Sequence, residues 1–230
     1  MQHHLTKLAI GLTLASALPT TVHAALYDRG GGLIYDSDLN VTWLDVATPL
    51  MNWSDAVNWA TNLSVFDSVR NVTWTGWRLS AMANPSAGCD VNASNLGGTN
   101  CGYNVDPTSS EMAHLFFTEL GNKSYVSPTG VIQAGFGLVN TGPFLHALAP
   151  NMTTPNFWMG TTYAAIPTFA WQFNTYDGTQ DFSDKTNFFH VLAARPGDVA
   201  AVPEADTWAM LLAGLTLVGV AVRRRGQSDT

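Results

Sequence analysis

Trp208–Val222 is a run of 15 residues without a charge, and it stops at Arg223-Arg224-Arg225. No other feature constrains the chain as strongly. An apolar run prefers lipid to water, and a basic cluster resists leaving the cytoplasm. The run is shorter than the ~20 residues that span a bilayer comfortably. Starting it at Ala205 lengthens it but buries Asp206 near the outer interface. Gly214 and Gly219 weaken it as a helix. A polar element, Val202-Pro203-Glu204-Ala205-Asp206-Thr207, leads into it.

The order Pro203-Glu204, apolar run, then Arg223, Arg224 and Arg225 resembles the PEP-CTERM sorting signal of exported bacterial proteins, here spanning residues 203–226. Ala205 stands where that family has a second proline. The resemblance implies a transmembrane segment at about 208–222. It also implies a membrane protease-transpeptidase of the exosortase type as partner. The expected product is inserted in the inner membrane as a precursor and ends at the cell surface or outside a Gram-negative cell. The simpler alternative is an ordinary membrane anchor. The other end reads as a signal peptide over residues 1–24. Lys7 precedes the apolar Leu8–Leu18, and Val22-His23-Ala24 is a small-x-small cleavage site, so the cut is expected after Ala24.

Between these segments lie 178 residues, Ala25–Val202, enough for one domain with a substantial core. That span holds 6 basic and 14 acidic residues, a net charge of −8. The basic residues are scattered, so the electrostatic footprint of nucleic-acid binding is absent. Seven Asn-x-Ser/Thr sequons begin at Asn40, Asn52, Asn62, Asn71, Asn92, Asn122 and Asn151; an Asn- and Thr-rich chain produces them by chance.

Cys89 and Cys101 are the two cysteines, and both sit in the Gly/Asn-rich stretch Ser86–Asn104. In an oxidising compartment such a pair is expected to form a disulfide worth about 3 kcal/mol on the chain-entropy model. A metal pair and free thiols are the alternatives.

Leu33–Leu44 reads as a hairpin around an Asx-rich turn. Asp36, Asp38 and Asn40 alternate as in the first half of a calcium loop, but the following glycine and distal glutamate are missing. Turn chemistry is the reading there, and calcium the alternative. Ala56, Trp59, Ala60 and Leu63 mark one face of a helix capped by Asn52 or Ser54. Thr108-Ser109-Ser110-Glu111 fits a capping box before a second helix, with Met112, Leu115, Phe116 and Leu120 as its apolar stripe and Gly121 as its stop. His114 lies beside that stripe as a partly buried histidine. Phe157–Gly160 and Thr168–Asn174 read as strands. Asp177-Gly178 is a turn, after which Asn187–Ala193 is expected to return.

Thr42-Trp43-Leu44-Asp45, Gly76-Trp77-Arg78-Leu79, Ser110-Glu111-Met112, Phe157-Trp158-Met159-Gly160-Thr161, Ala170-Trp171-Gln172-Phe173 and Ala194-Arg195-Pro196-Gly197 occur in that order. Together they resemble the Lcl C-terminal-like domain family of unknown function, over residues 25–198 with a linker at 199–202. That family is similar to the C-type-lectin-like and formylglycine-generating-enzyme folds. The resemblance implies an α+β domain with two helices and a twisted antiparallel sheet, flanked by the signal peptide and the C-terminal transmembrane helix. Ser80 replaces the proline that usually follows Trp-Arg-Leu.

Trp43, Trp59, Trp77, Trp158 and Trp171 are expected in the core, although exposed aromatics would suit sugar stacking. Arg78 and Arg195 are expected to pair inside the fold. Catalytic signatures are missing: there is no His-x-x-x-His, no Gly-x-Ser-x-Gly, and Gly30-Gly31-Gly32 precedes a strand with no following lysine. No cofactor and no metal are expected. The expectation is a non-catalytic binding or scaffolding domain associated with exopolysaccharide. The alternative is an exported hydrolase acting on envelope carbohydrate or protein.

Overall fold

The computed structural model describes residues 26–86, 88–89, 95–148 and 154–199. The cleavage site at Ala24, the sorting residues Pro203, Glu204, Ala205 and Arg223–Arg225, and the apolar run 208–222 lie outside them. Among the described residues no helix is long and apolar enough to cross a membrane.

Two sheets and one ribbon make the fold. Strands β1 (Leu26–Asp28), β2 (Leu33–Asp36) and β3 (Val41–Leu44) run on in antiparallel sequence, and β11 (Ala193–Pro196) and β6 (Arg78–Leu79) complete a five-stranded sheet in the order β1-β2-β3-β11-β6. The second sheet has the order β10-β7-β8-β9, from β7 (Asn156–Thr162), β8 (Phe169–Asn174), β9 (Thr179–Asp184) and β10 (His190–Val191). Strands β4 (Val65–Asp67) and β5 (Val72–Trp74) form a separate ribbon.

The described residues are mostly sheet with two short helices, an α+β or mainly β balance, and the sheet is not the single antiparallel one expected. β10 pairs parallel with β7, and after Leu192 the chain crosses into the other sheet as β11. The strand that returns after Asp177-Gly178 is β9, not Asn187–Ala193. The sequence Thr-Gln-Asp-Phe-Ser-Asp has no apolar alternation to announce a strand. It is an outer strand, held by backbone pairing and by Gln180. That side chain is fully buried, donates to the Asn100 carbonyl at 2.7 Å, and accepts from the Ser110 hydroxyl at 2.5 Å. Gly178 makes the turn possible. Its φ is +72°, and a Cβ there would stand 3.0 Å from the Ser124 Cα.

Alternation along the strands divides the apolar residues into layers. Ile34, Val41, Trp43 and Ala194 of the first sheet face the main core, where they share space with Phe157, Met159, Trp171 and Phe173 of the second. Leu33, Leu44 and Ala193 face the other way, onto Trp77, Val199 and the ribbon's Val65 and Trp74. Val199, first residue of the expected linker, is therefore part of the packed domain. Trp158 and Ala170 turn toward helix α1 (Trp53–Thr61). Asn52 caps α1 by accepting from the Asp55 N–H at 2.9 Å. Ala56 and Ala60 are fully buried, and their small side chains let α1 lie close to the sheet. The Trp53 indole donates to the Met159 carbonyl and the Trp158 indole to the Met51 carbonyl, both at 2.9 Å.

Trp43, Trp77, Trp158 and Trp171 are fully buried, while Trp59 is half-buried between two of the clusters. Packing is the role of all five.

Asp67 braces the turn within the ribbon. Its carboxylate accepts from the Arg70 guanidinium at 2.6 Å, the Trp74 indole at 3.0 Å and the Val69 N–H at 2.9 Å. Burial alone would raise its pKa, but these donors outweigh it and hold the carboxyl below 3.8. A depressed carboxyl contributes stability above its unfolded pKa, and that stability is lost as pH falls through the folded value. Asp67→Asn should therefore cost roughly 2 kcal/mol at pH 7. In urea titrations across pH, its deficit should shrink below pH 3.8. A deficit constant from pH 7 to pH 2 would assign the effect to packing.

Candidate functional site

The turn between β2 and β3 carries Asp36 at its buried end. One carboxylate oxygen accepts from the N–H groups of Asp38 (3.1 Å) and Leu39 (3.0 Å), which makes an Asx turn. The other accepts from the Trp43 indole at 3.3 Å. Asn40 does not turn inward with it. It sits at φ 51°, and its amide oxygen accepts from the Tyr35 hydroxyl at 3.1 Å. The turn chemistry expected here is what the geometry displays.

Opposite this turn lies the second helix, which begins later than the capping-box reading had it. Ser110, not Thr108, is the N-cap, accepting from the Ala113 N–H at 3.0 Å. Thr108 is held by Asp106, which accepts from both its N–H and its hydroxyl. Glu111 is drawn away from the cap by Arg78: two parallel 2.6 Å bonds join guanidinium and carboxylate. The same carboxylate accepts from the Ala81 N–H at 2.9 Å, which locks β6 to α2 (Glu111–Ala113).

After three residues α2 widens into a π-helical segment, His114–Glu119. Met112, Leu115, Phe116 and Leu120 still bury one face, as their spacing suggested. The other face changes. In an α-helix, residues five apart point about 140° from each other. In a π-helix, whose hydrogen bonds join i to i+5, they stack. His114 Nε2 accordingly lies 3.2 Å from Glu119 Oε1. Glu119 had read as helix surface, but its side chain is 1% exposed. Asp36 and Asp38 of the β2–β3 turn stand over the face that a lone helix would have presented to water.

His114, Glu119 and Asp36 place one ligand atom each within 4.8 Å of one another. Asp38 Oδ2 is 3.7 Å from His114 Nε2. Burial raises the Asp36 carboxyl, partly offset by the Leu39 N–H, Trp43 and His114. Burial raises Glu119 too, and the Asp36 charge adds to it while His114 opposes both. No sequence pattern announces this group, since Asp36 is far from the other two in the chain. A five-residue spacing on a helix ordinarily argues against contact.

His114 also lines a pocket of about 210 Å³ with Leu39, Met82, Pro107, Thr108 and Glu111. A more open pocket of about 480 Å³ adjoins it, lined by Asn84, Ser86, Asn100 and Ser109. Met82, Ala83 and Thr108 line both, so one groove runs from His114 toward the cysteine loop. That loop is closed by the Cys89–Cys101 disulfide, with Cα atoms 5.5 Å apart. Cys101 is buried in the main core. The groove's far end is lined by amides and hydroxyls and carries no charged side chain among these residues.

The remaining singled-out residues are structural in placement. Arg195 donates to the Thr75 carbonyl at 3.4 Å and lies 4.5 Å from the Trp74 ring centroid. The ring of His190 meets the Thr48 carbonyl at 2.9 Å. Asp45, the last residue of the Thr42-Trp43-Leu44-Asp45 motif, accepts from the N–H groups of Leu145, His146 and Ala147 at 2.8, 2.9 and 2.6 Å, and so anchors a long loop to β3.

No curated protein matches this chain, and no solved structure matches it. Residues 201–225 match the family described as the PEP-CTERM protein-sorting motif. The chain therefore carries a PEP-CTERM protein-sorting motif, which points to an exported protein sorted by an exosortase.

Proposed function

We propose that this protein is a surface or matrix protein whose domain binds or scaffolds uncharged polysaccharide without turning it over. The observation that carries the reading is the sorting motif at 201–225, which directs the domain to the envelope exterior. The groove supports it. At its far end Asn84, Ser86, Asn100 and Ser109 offer hydrogen bonds suited to sugar hydroxyls. Binding without catalysis is favoured over hydrolysis by the placement of the carboxylates. A glycoside hydrolase of the usual kind uses two that flank one bond. Glu119 is enclosed, and Glu111 is engaged by both Arg78 nitrogens.

The test uses the native protein from its own cells. Mass spectrometry of surface material should find chains that start at Ala25 and lack Arg223–Arg225. A strain without exosortase should retain the chain in the inner membrane. The processed protein should bind exopolysaccharide from the same cells without shortening it. Ala83 is exposed and lines both parts of the groove, so Ala83→Trp should weaken that binding at least tenfold while leaving the melting temperature unchanged. Chain shortening abolished by one carboxylate substitution would establish the hydrolase instead.

A further inference from the structure

We propose that Asp36, His114 and Glu119, with Asp38 at the rim, bind a first-row divalent transition-metal ion that pins the π-helical segment to the β2–β3 turn. Three observations carry this. The first is geometry. Ligands held ~2.1 Å from such an ion stand roughly 3–4 Å apart. The 3.2 Å from His114 Nε2 to Glu119 Oε1 and the 3.7 Å to Asp38 Oδ2 already fall in that range. Asp36 completes the set within 4.8 Å.

The second is charge. Three carboxylates surround one imidazole. Among the described residues, the ion pairs of Arg29 and Arg78 go to Asp198 and Glu111, away from this group. A buried carboxylate without a cation is costly, and a divalent ion removes that cost.

The third is preorganisation. The Asp36 carboxylate is oriented by two backbone N–H groups and the Trp43 indole, as outer-shell donors orient metal ligands. The i,i+5 stacking of His114 on Glu119 exists only because the helix adopts π register there. Asp38 is 46% exposed and His114 faces the groove, so the ion has a path in and room for water. One nitrogen among oxygens favours Zn²⁺ or Mn²⁺ over Ca²⁺, which takes six to eight oxygens. This site is independent of the polysaccharide reading and stands or falls without it.

The full chain, purified in mild detergent and stripped with a chelator, provides the test. Zn²⁺ should bind at one equivalent above the level of a Glu119→Gln variant and raise the melting temperature by several degrees. Ca²⁺ at the same concentration should do neither. Glu119→Gln should lower Zn²⁺ affinity at least tenfold, while its metal-free form melts at or above the wild-type metal-free form, since a buried charge is gone. Asp38→Asn, at the exposed rim, should keep the fold and lower affinity several-fold. Co²⁺ should give a visible absorption band in the wild type that His114→Gln loses. Equal Zn²⁺ binding by wild type and Glu119→Gln, a melting temperature indifferent to Zn²⁺, or a larger shift with Ca²⁺ would each overturn the proposal.

Discussion

Trp171→Ala should destabilise the domain by about 3–5 kcal/mol, the cost of emptying a fully buried aromatic site. Trp171 is completely buried mid-strand in β8. Its ring meets Tyr163 edge-on at 5.4 Å and Phe182 at 6.1 Å, and Tyr163 stacks flat on Phe182 at 4.0 Å. Phe173, two residues on, packs on Phe116 and Phe117 of the π-helical segment at 5.2 and 6.1 Å. Removing the indole therefore opens a cavity between sheet and helix that these rings cannot close without leaving each other. Among the described residues the indole N–H has no hydrogen-bond partner. Trp171→Phe should cost much less than Trp171→Ala, because the phenyl ring fills most of the space that alanine leaves empty. Urea unfolding of the three proteins checks both statements. A wild-type midpoint for Trp171→Ala would show that the site collapses and that the ring does not support the core.

Breaking the disulfide is expected to have the next largest effect, about 3 kcal/mol on the chain-entropy model. Cys89 and Cys101 close a loop of sequence separation 12. Within this loop the described residues contain no helix or strand. Beyond it, Gly102 exchanges backbone hydrogen bonds with Gln180 at 2.8 and 3.1 Å, and Asn104 donates to the Val126 carbonyl. Cys89→Ser with Cys101→Ala should leave these outer bonds in place. Amide exchange should quicken mainly between residues 86 and 100. Thiol labelling of the unfolded, non-reduced wild type should find no free cysteine. Labelling of both would remove the bond from the account.

Local patterns in the sequence were strong where one element satisfies its own needs. The hairpin at Leu33–Leu44, the Asn52 cap, the apolar stripe of Met112, Leu115, Phe116 and Leu120, and the Asp177-Gly178 turn each follow from spacing and side-chain chemistry within a few residues. The cysteine pairing was legible for the same reason: two thiols in one short, irregular loop have no nearer partners. Legibility failed where a distant partner competes. Glu111 is an adequate cap residue until Arg78, 33 positions away, offers two charge-assisted bonds. β9 carries no apolar alternation, and only its pairing with β8 makes it a strand.

The candidate metal group shows the same division most clearly. His114 and Glu119 were visible as residues, and Asp36 as a turn former, but nothing in their spacing brought them together. Bringing them together takes a helix in π register and a sheet that carries the β2–β3 turn across it, and neither is a property of any short segment. By itself, then, the chain determined its sorting motif and its local elements. A sorting signal must be read as linear sequence, and caps, turns and stripes act within one or two turns of backbone. Tertiary structure alone decided which sheet each strand joins, which carboxylates are enclosed and which groove faces water. Those outcomes depend on burial and pairing between residues far apart in the chain, and burial belongs to the whole packed domain.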